Sequence, residues 1–305
     1  MLIALKIDVD TYRGTREGAM RLADLLERLD VRATFLFSLG PDHTGRAIKR
    51  AFRPGFFGKV KRTSVVKHYG IKTLMYGVLL PGPRIGQRCG EFMRDIARRG
   101  FEVGVHSWDH VRWQDRVARE SEPWTRRELT LACDEFAQVF GRAPQVHGAA
   151  GWQMNRYLPA LQQELGFRYA SDTRGTGPFL PVLDPGVGTV PQLPTTLPTL
   201  DELIGRSDLL APDPVEHLLA VSASQARDEV FTLHAELEGG AYLSAFERLL
   251  RAWLQRDRRL TDLAGYAAQL TGASLPRCRI VYGRVAGRSG TLAVQSPARA
   301  DARQS

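Results

Sequence analysis

Apolar runs alternate with helix-spaced apolar positions along most of the chain. LIALKIDV (2–9) is a β-rich apolar run, residues 16–29 place Ala19, Leu22, Leu25, Leu26 and Leu29 at helical spacing, and ATFLFSL follows as a second buried strand. After a break the alternation resumes with a helix over 84–99, the strand FEVGVHS, a helix over 125–140, the short run 145–149, a helix ending at Leu165 and the strand FRYAS. A Pro-rich stretch over 178–198 comes next, then helices near 213–225, the strand EVFTLHAE, and helices over 242–256 and 261–270. Continuous apolar strands separated by amphipathic helices predict an α/β fold with a parallel sheet covered on both faces. About seven such units predict a barrel with helices outside, TIM-like and incomplete. Residues 1–295 read as one domain, with 41–88 an insertion and 296–305 a disordered tail.

Composition narrows the class. With 305 residues, 43% hydrophobic and 25% charged, the chain has the make-up of a globular protein with a substantial core. The longest apolar run, 74–80, is interrupted by Gly77 and falls far short of the roughly 20 residues a membrane-spanning helix needs. The first residues carry no basic leader or small-residue cleavage site, and Cys89, Cys133 and Cys278 form no pairing pattern, so a reduced, cytoplasmic protein is expected. The net charge of +9 is concentrated. Residues 41–88 hold 11 Lys/Arg and one acid, which leaves the remainder near neutral.

In parallel α/β folds, functional groups gather at the C-terminal ends of strands. Four polar clusters fall there. Asp8 and Asp10 close the first strand, two residues apart and so on one side while the strand persists. His106 and His110 follow FEVGV; histidines four apart meet on one face of a helical turn and can share a metal, without the Glu of a HExxH zinc helix. Asp172 and Arg174 follow FRYAS, and His234 closes VFTL. Each cluster alone is as well read as a cap or a structural contact; their joint occurrence after separate strands is not.

Seven stretches carry a resemblance: KIDVDTYRGTREG (6–18), SLGPDHTGR (38–46), GVHSWDHVRWQ (104–114), AAGW (149–152), YASDTRGTGPF (169–179), PQLPTTLPTLDELIG (191–205) and FTLHAELEG (231–239). The sequence resembles the polysaccharide deacetylase superfamily with the NodB homology domain, carbohydrate esterase family 4. Within it, the sequence resembles most closely the branch of deformylases acting on 4-formamido-arabinose linked to undecaprenyl phosphate. The resemblance implies a distorted (β/α) barrel, a divalent metal and amide hydrolysis on a lipid-linked amino sugar used in lipid A modification. By motif it makes Asp8 the general base, Asp10, His106 and His110 the metal ligands, and His234 the general acid. A His2Asp set suits zinc, cobalt, nickel or manganese. Two departures stand out: Val9 separates acids that are usually adjacent, which leaves open which is base and which is ligand, and HGAAGW lacks the Arg that usually orients the base. Arg174 beside Asp172 is the sequence's candidate for that role, with Asp172 tuning His234.

Given such a substrate, the basic stretch gains a purpose. Residues 46–68 interleave Ile48, Phe52, Phe56, Phe57 and Val60 with eight Lys/Arg, as segments lying on anionic bilayers do. The expected partners are the undecaprenyl-phosphate-linked amino sugar and the anionic inner leaflet, at the cytoplasmic face of the bacterial inner membrane; no nucleic acid is expected. An N-deacetylase of another amino sugar, a nucleic-acid binder and a DxD glycosyltransferase are the competing readings. The last two leave the histidines idle.

Overall fold

The computed structural model describes residues 1–51, with side chains through 47, and residues 70–297. The basic stretch 46–68 and the tail from 296 therefore lie almost wholly outside the described residues.

The central strand, β1 (Leu2–Val9), is buried along its whole length. Its period of two splits it into two files. Ile3, Leu5, Ile7 and Val9 point into the layer shared with the outer helices. Leu2 and Ala4 point inward, packing with Leu36, Val146, Val230 and Leu263. Lys6 and Asp8 continue this inner file, so a strand that reads as apolar turns from oily to charged on its inner side as it approaches its C-terminal end.

Around β1 lie β2 (Thr34–Ser38), β3 (Glu102–Ser107), β4 (Val146–His147), β5 (Tyr169–Ala170), β7 (Glu229–His234) and β8 (Arg259–Thr261). They form one seven-stranded sheet in the order β5-β4-β3-β2-β1-β7, with β8 also on β1. Every pairing is parallel. Ile3 pairs with Glu229 and with Leu260, while β2 first meets β1 at Lys6, so β8 and β2 share one edge of β1 end to end. Two small pairings lie outside the sheet: β6 (Leu180–Pro181) with β9 (Arg277–Cys278), and β10 (Ile280–Gly283) with β11 (Leu292–Gln295).

The sheet is a distorted (β/α) barrel whose β5 and β7 do not pair directly. The Pro-rich stretch fills this seam. Leu193 N donates to Ala170 O at 2.7 Å, Thr195 N to Thr173 O at 2.9 Å, and Thr196 N to Val230 O at 3.1 Å. Pro191, Pro194 and Pro198 have no N–H to offer, so the segment bridges the two edges without becoming a regular strand.

The outer layer follows from the helical stripes. Leu22, Leu25 and Leu26 of α1 (Ala19–Arg28) face the outer file of the sheet; α2 (Thr44–Ala51) holds the start of the basic stretch and α3 (Ile71–Met75) follows its end. Cys89, Met93 and Ile96 of α4 (Ile85–Arg98) join the same core. At about 1.5–3 kcal/mol for each large side chain buried, these stripes are the main drive for docking the helices. The helix read over 16–29 begins as a π-turn, Gly14–Gly18, and is α-helical only over Ala19–Arg28. A Cβ on Gly14 would stand 1.9 Å from Glu236 Oε1, so a side chain here would displace the Glu236 carboxylate.

Candidate active site

Strand register assembles the site. Asp8 of β1 is the direct partner of His234 of β7, so both point to the same inner face. Leu36 pairs with Gly104 of β3, and His106 lies two residues further along on that face. Beyond Val9 the strand ends and Asp10 sits in the turn. Glu236 holds the turn in place, accepting from Asp10 N at 3.1 Å, Thr11 N at 2.9 Å and Thr11 Oγ1 at 2.8 Å.

The two imidazoles do not share a helical turn, as their spacing suggested. His106 belongs to the end of β3, and His110 is the first residue of α5 (His110–Arg116). Asp109 caps that helix by accepting from Arg112 N at 3.0 Å, and its other oxygen lies 2.6 Å from His43 Nδ1. The strand-to-helix turn still stacks the His106 and His110 rings, 5.3 Å apart at 29°.

Three potential ligands, one carboxylate and two imidazoles, converge there. Asp10 Oδ1 lies 3.2 Å from His106 Nε2 and 3.4 Å from His110 Nε2. One donor atom each from Asp10, His106 and His110 lies within 4.8 Å of the others. Asp10 Oδ1 is buried with no hydrogen-bond partner, an orphaned anion that a cation would satisfy. Because Gly148 O can only accept, His106 Nδ1 donates to it at 2.7 Å, which leaves the Nε2 lone pair for a metal. Burial alone would push the Asp10 carboxyl up; His110 and His106, when protonated, outweigh it and hold the group well below the ordinary carboxylate range, an attraction that a cation bound between neutral imidazoles would replace. The donor set and its orphaned oxygen fit a divalent ion.

Two further pairs flank the three. Lys6 Nζ lies 3.5 Å from Asp8 Oδ2, donates to Ser171 O at 3.0 Å, and stands 5.4 Å from the centre of the Trp152 ring. A Cβ on Gly148 would come within 3.0 Å of Lys6 Cε, so the loop after β4 makes room for this lysine. Opposite, His234 meets Trp152 edge-on at 6.3 Å, and its Nδ1 faces Asp201 Oδ1 at 3.9 Å. Burial disfavours the charged imidazole, but Asp201 and Asp10 outweigh it and raise the His234 pKa above its ordinary 6.5. Asp201 is desolvated too, yet Arg288, 2.8 Å away, and His234 keep it below the ordinary carboxylate range.

Asp172 and Arg174 take places other than those read from the sequence. Asp172 accepts from His147 Nδ1 at 2.7 Å, Ala149 N at 2.9 Å, and Gln162 Nε2 and Gln192 Nε2 at 2.8 Å each. It thus braces the loop that presents Gly148 O to His106, and among the described residues it makes no pair with His234. Arg174 pairs with Glu202, donates to Leu197 O at 3.0 Å and lies over Trp152. The cause is the seam: Thr173 is bonded to Thr195, which draws this stretch toward 191–197 and away from Asp8. Lys6 and Asp201 stand where Arg174 and Asp172 were expected.

Residues 2–170 match the family model described as polysaccharide deacetylase. This chain belongs to the polysaccharide deacetylase family. Over 248 residues, 81% of the chain and 80% of the relative, this family member is 36% identical to a protein of Shewanella sediminis (strain HAW-EB3). That relative bears the name probable 4-deoxy-4-formamido-L-arabinose-phosphoundecaprenol deformylase ArnD. A Wigglesworthia glossinidia brevipalpis protein of the same name is 31% identical over 287 residues, 92% of the chain and 98% of the relative. A crystal structure from Mycobacterium smegmatis assigned to the polysaccharide deacetylases shares the fold, with a TM-score of 0.65 and 18% identity over 93% of this chain and 94% of that one.

For this deacetylase-family chain, the residues sequence reasoning missed are Lys6, Asp201 and Arg288. Lys6 had a readable signal: a lysine inside a strand that is otherwise apolar, on the same period-two file as Asp8. Asp201 and Arg288 reach His234 from 200–203 and from the loop after β10, a meeting that no local pattern announces.

Proposed function

We propose that this chain hydrolyses the formamide of 4-deoxy-4-formamido-L-arabinose-phosphoundecaprenol, giving formate and the 4-amino sugar lipid used in lipid A modification and polymyxin resistance. The observation that carries the reading is the grouping of Asp10, His106 and His110 between two differently charged pairs, Lys6 with Asp8 and Asp201 with His234. The names of the relatives supply the substrate.

Water adds to the formyl carbon, the C–N bond breaks, and the nitrogen leaves as an amine. Asp8 takes the water proton, and Lys6 fixes the carboxylate that does so. His234, whose protonated form Asp201 favours, gives its proton to the departing nitrogen. Asp10, His106 and His110 would hold a divalent ion, zinc, cobalt, nickel or manganese by donor type. When bound, such an ion supplies Lewis-acid chemistry, polarising the carbonyl and making water more acidic. Trp152, buried against His234, narrows the space for the acyl group.

No described helix is long and apolar enough to cross a membrane. A peripheral position on the cytoplasmic face of the inner membrane, held by the Lys/Arg of 46–68, belongs to the same proposal. The deciding experiment compares formate and acetate release from matched formamido and acetamido sugar lipids. Faster formate release supports the deformylase reading; faster acetate release replaces it with a deacetylase.

A further inference from the structure

Beside the site opens a cleft of about 860 Å³ whose lining includes Tyr12, Arg13, Arg16, Lys72, Arg84 and Arg88. Glu17 is the sole acid of the lining and is paired with Arg13 at 3.1 Å; Arg84 is paired with Glu135 at 2.8 Å. Arg16, Lys72 and Arg88 have no carboxylate partner among the described residues. Arg16 is nevertheless held in position: its guanidinium lies 5.4 Å from the Tyr12 ring centre and 6.0 Å from that of Phe92, and it donates to Tyr12 Oη at 3.3 Å. Three cations thus line one cleft without a carboxylate partner among the described residues, one of them already oriented.

The cleft adjoins the reacting end of the barrel. Tyr12 lines it, two residues beyond Asp10, and its N–H is fixed by Asp42 Oδ2 at 2.9 Å. Two residues reach at most about 7 Å, a span comparable to the width of a pyranose from its 4-amide to its anomeric oxygen. At the mouth the character changes. Ile71, which lines the cleft, is 69% exposed, and Val78 and Leu79, next in sequence to the lining residue Leu80, are 49% and 73% exposed; these three of the eight large exposed hydrophobics of the described residues fall within nine positions. Scattered apolar residues need no explanation, but a run of them leading to a cationic cleft does.

We propose that Arg16, Arg88 and Lys72 receive the phosphodiester of the substrate, and that Ile71, Val78 and Leu79 carry the first isoprene units away from it. This rests on the deformylase reading and adds where the lipid phosphate sits. Guanidinium groups suit a phosphate because their donors match its oxygens, and the apolar lip distinguishes a lipid phosphate from free phosphate.

The test measures formate release from the lipid-linked substrate and from a phosphate-free methyl glycoside of the same sugar, with farnesyl phosphate and inorganic phosphate as competitors. In the native protein the lipid-linked substrate is preferred, and farnesyl phosphate competes where equal inorganic phosphate does not. Arg16→Ala with Arg88→Ala loses roughly 10- to 100-fold of that preference through KM, the effect of charge-assisted hydrogen bonds, and Arg16→Lys with Arg88→Lys retains part of it. Ile71→Ser with Leu79→Ser weakens competition by farnesyl phosphate. An unchanged preference in the alanine variant overturns the phosphate assignment, and equal competition by inorganic phosphate overturns the isoprenoid lip. If the native protein releases formate from neither substrate, the functional reading fails. Calorimetry with farnesyl phosphate then judges the cleft separately: binding that Arg16→Ala with Arg88→Ala abolishes upholds it, and no binding overturns it.

Discussion

Lys6 Nζ stands 3.5 Å from Asp8 Oδ2 with neither side chain more than 3% exposed, two residues apart on the inner file of β1. Removing one partner of a buried pair leaves an uncompensated charge. Lys6→Met therefore lowers kcat by roughly 100-fold, within the range of general base catalysis, with KM little changed and metal content intact. Lys6→Arg restores part of the rate. Loss of a buried partner lowers the melting temperature on either reading; a purely structural lysine would leave the kcat of the folded protein near native.

His234 must carry a proton to protonate the leaving nitrogen, so activity falls as pH rises through its pKa. The groups facing it are Asp201, Asp10 and Asp8, which favour the proton, Arg288, which opposes it, and Glu238, whose carboxylate accepts from His234 N at 2.8 Å. Asp201→Asn removes the strongest of the favouring charges and moves the alkaline limb of the pH–rate profile to lower pH. Asp172→Asn leaves that limb in place. A shift with Asp172→Asn and none with Asp201→Asn would reverse the two assignments.

Asp172 instead braces the loop behind the proposed metal ligands. It fixes Ala149 N and His147 on either side of Gly148, the acceptor of His106 Nδ1. Asp172→Ala weakens metal binding by about 10-fold or more, as loss of such outer support does, measured by competition with a chromophoric chelator. Native affinity in this variant would count against the bracing role.

Periodicity exposed the barrel because each inner strand is buried on both faces and each outer helix on one. Asp8, Asp10, His106, His110 and His234 were legible for the same reason, as polar residues closing apolar runs. The basic stretch left no comparable record, since 48–69 lies outside the side chains described. What periodicity cannot carry is cross-chain pairing. The Asp172–Arg174 stretch looked like one more strand-end cluster, but its partners include Gln192 from the Pro-rich seam, which has no period to read, and Glu202 from the single helical turn that follows it. His106 and His110 have a spacing that fits a helical turn equally well; the break between them is set by Asp109 capping α5.

Glu229 in β7 is fully buried, both carboxylate oxygens lack a hydrogen-bond partner, and burial pushes its carboxyl from the ordinary 4.5 up to about 7 against the pull of Arg258. The folded chain thus holds a proton that the unfolded chain releases, and this group costs stability progressively as pH rises from 4.5 through 7. Glu229→Gln gains more in melting temperature at pH 8 than at pH 5. Equal gains at both would show that the carboxyl titrates normally.

The central claim is that formamide hydrolysis depends on a metal held by Asp10, His106 and His110. Formate release from the lipid-linked formamido sugar, followed while a divalent metal is titrated into chelator-stripped protein, tests it most directly. Activity that is absent at the start, returns at one metal per chain, and fails to return in His106→Ala is the predicted result. Full formate release from stripped protein, or from His106→Ala at the same metal concentration, would contradict it.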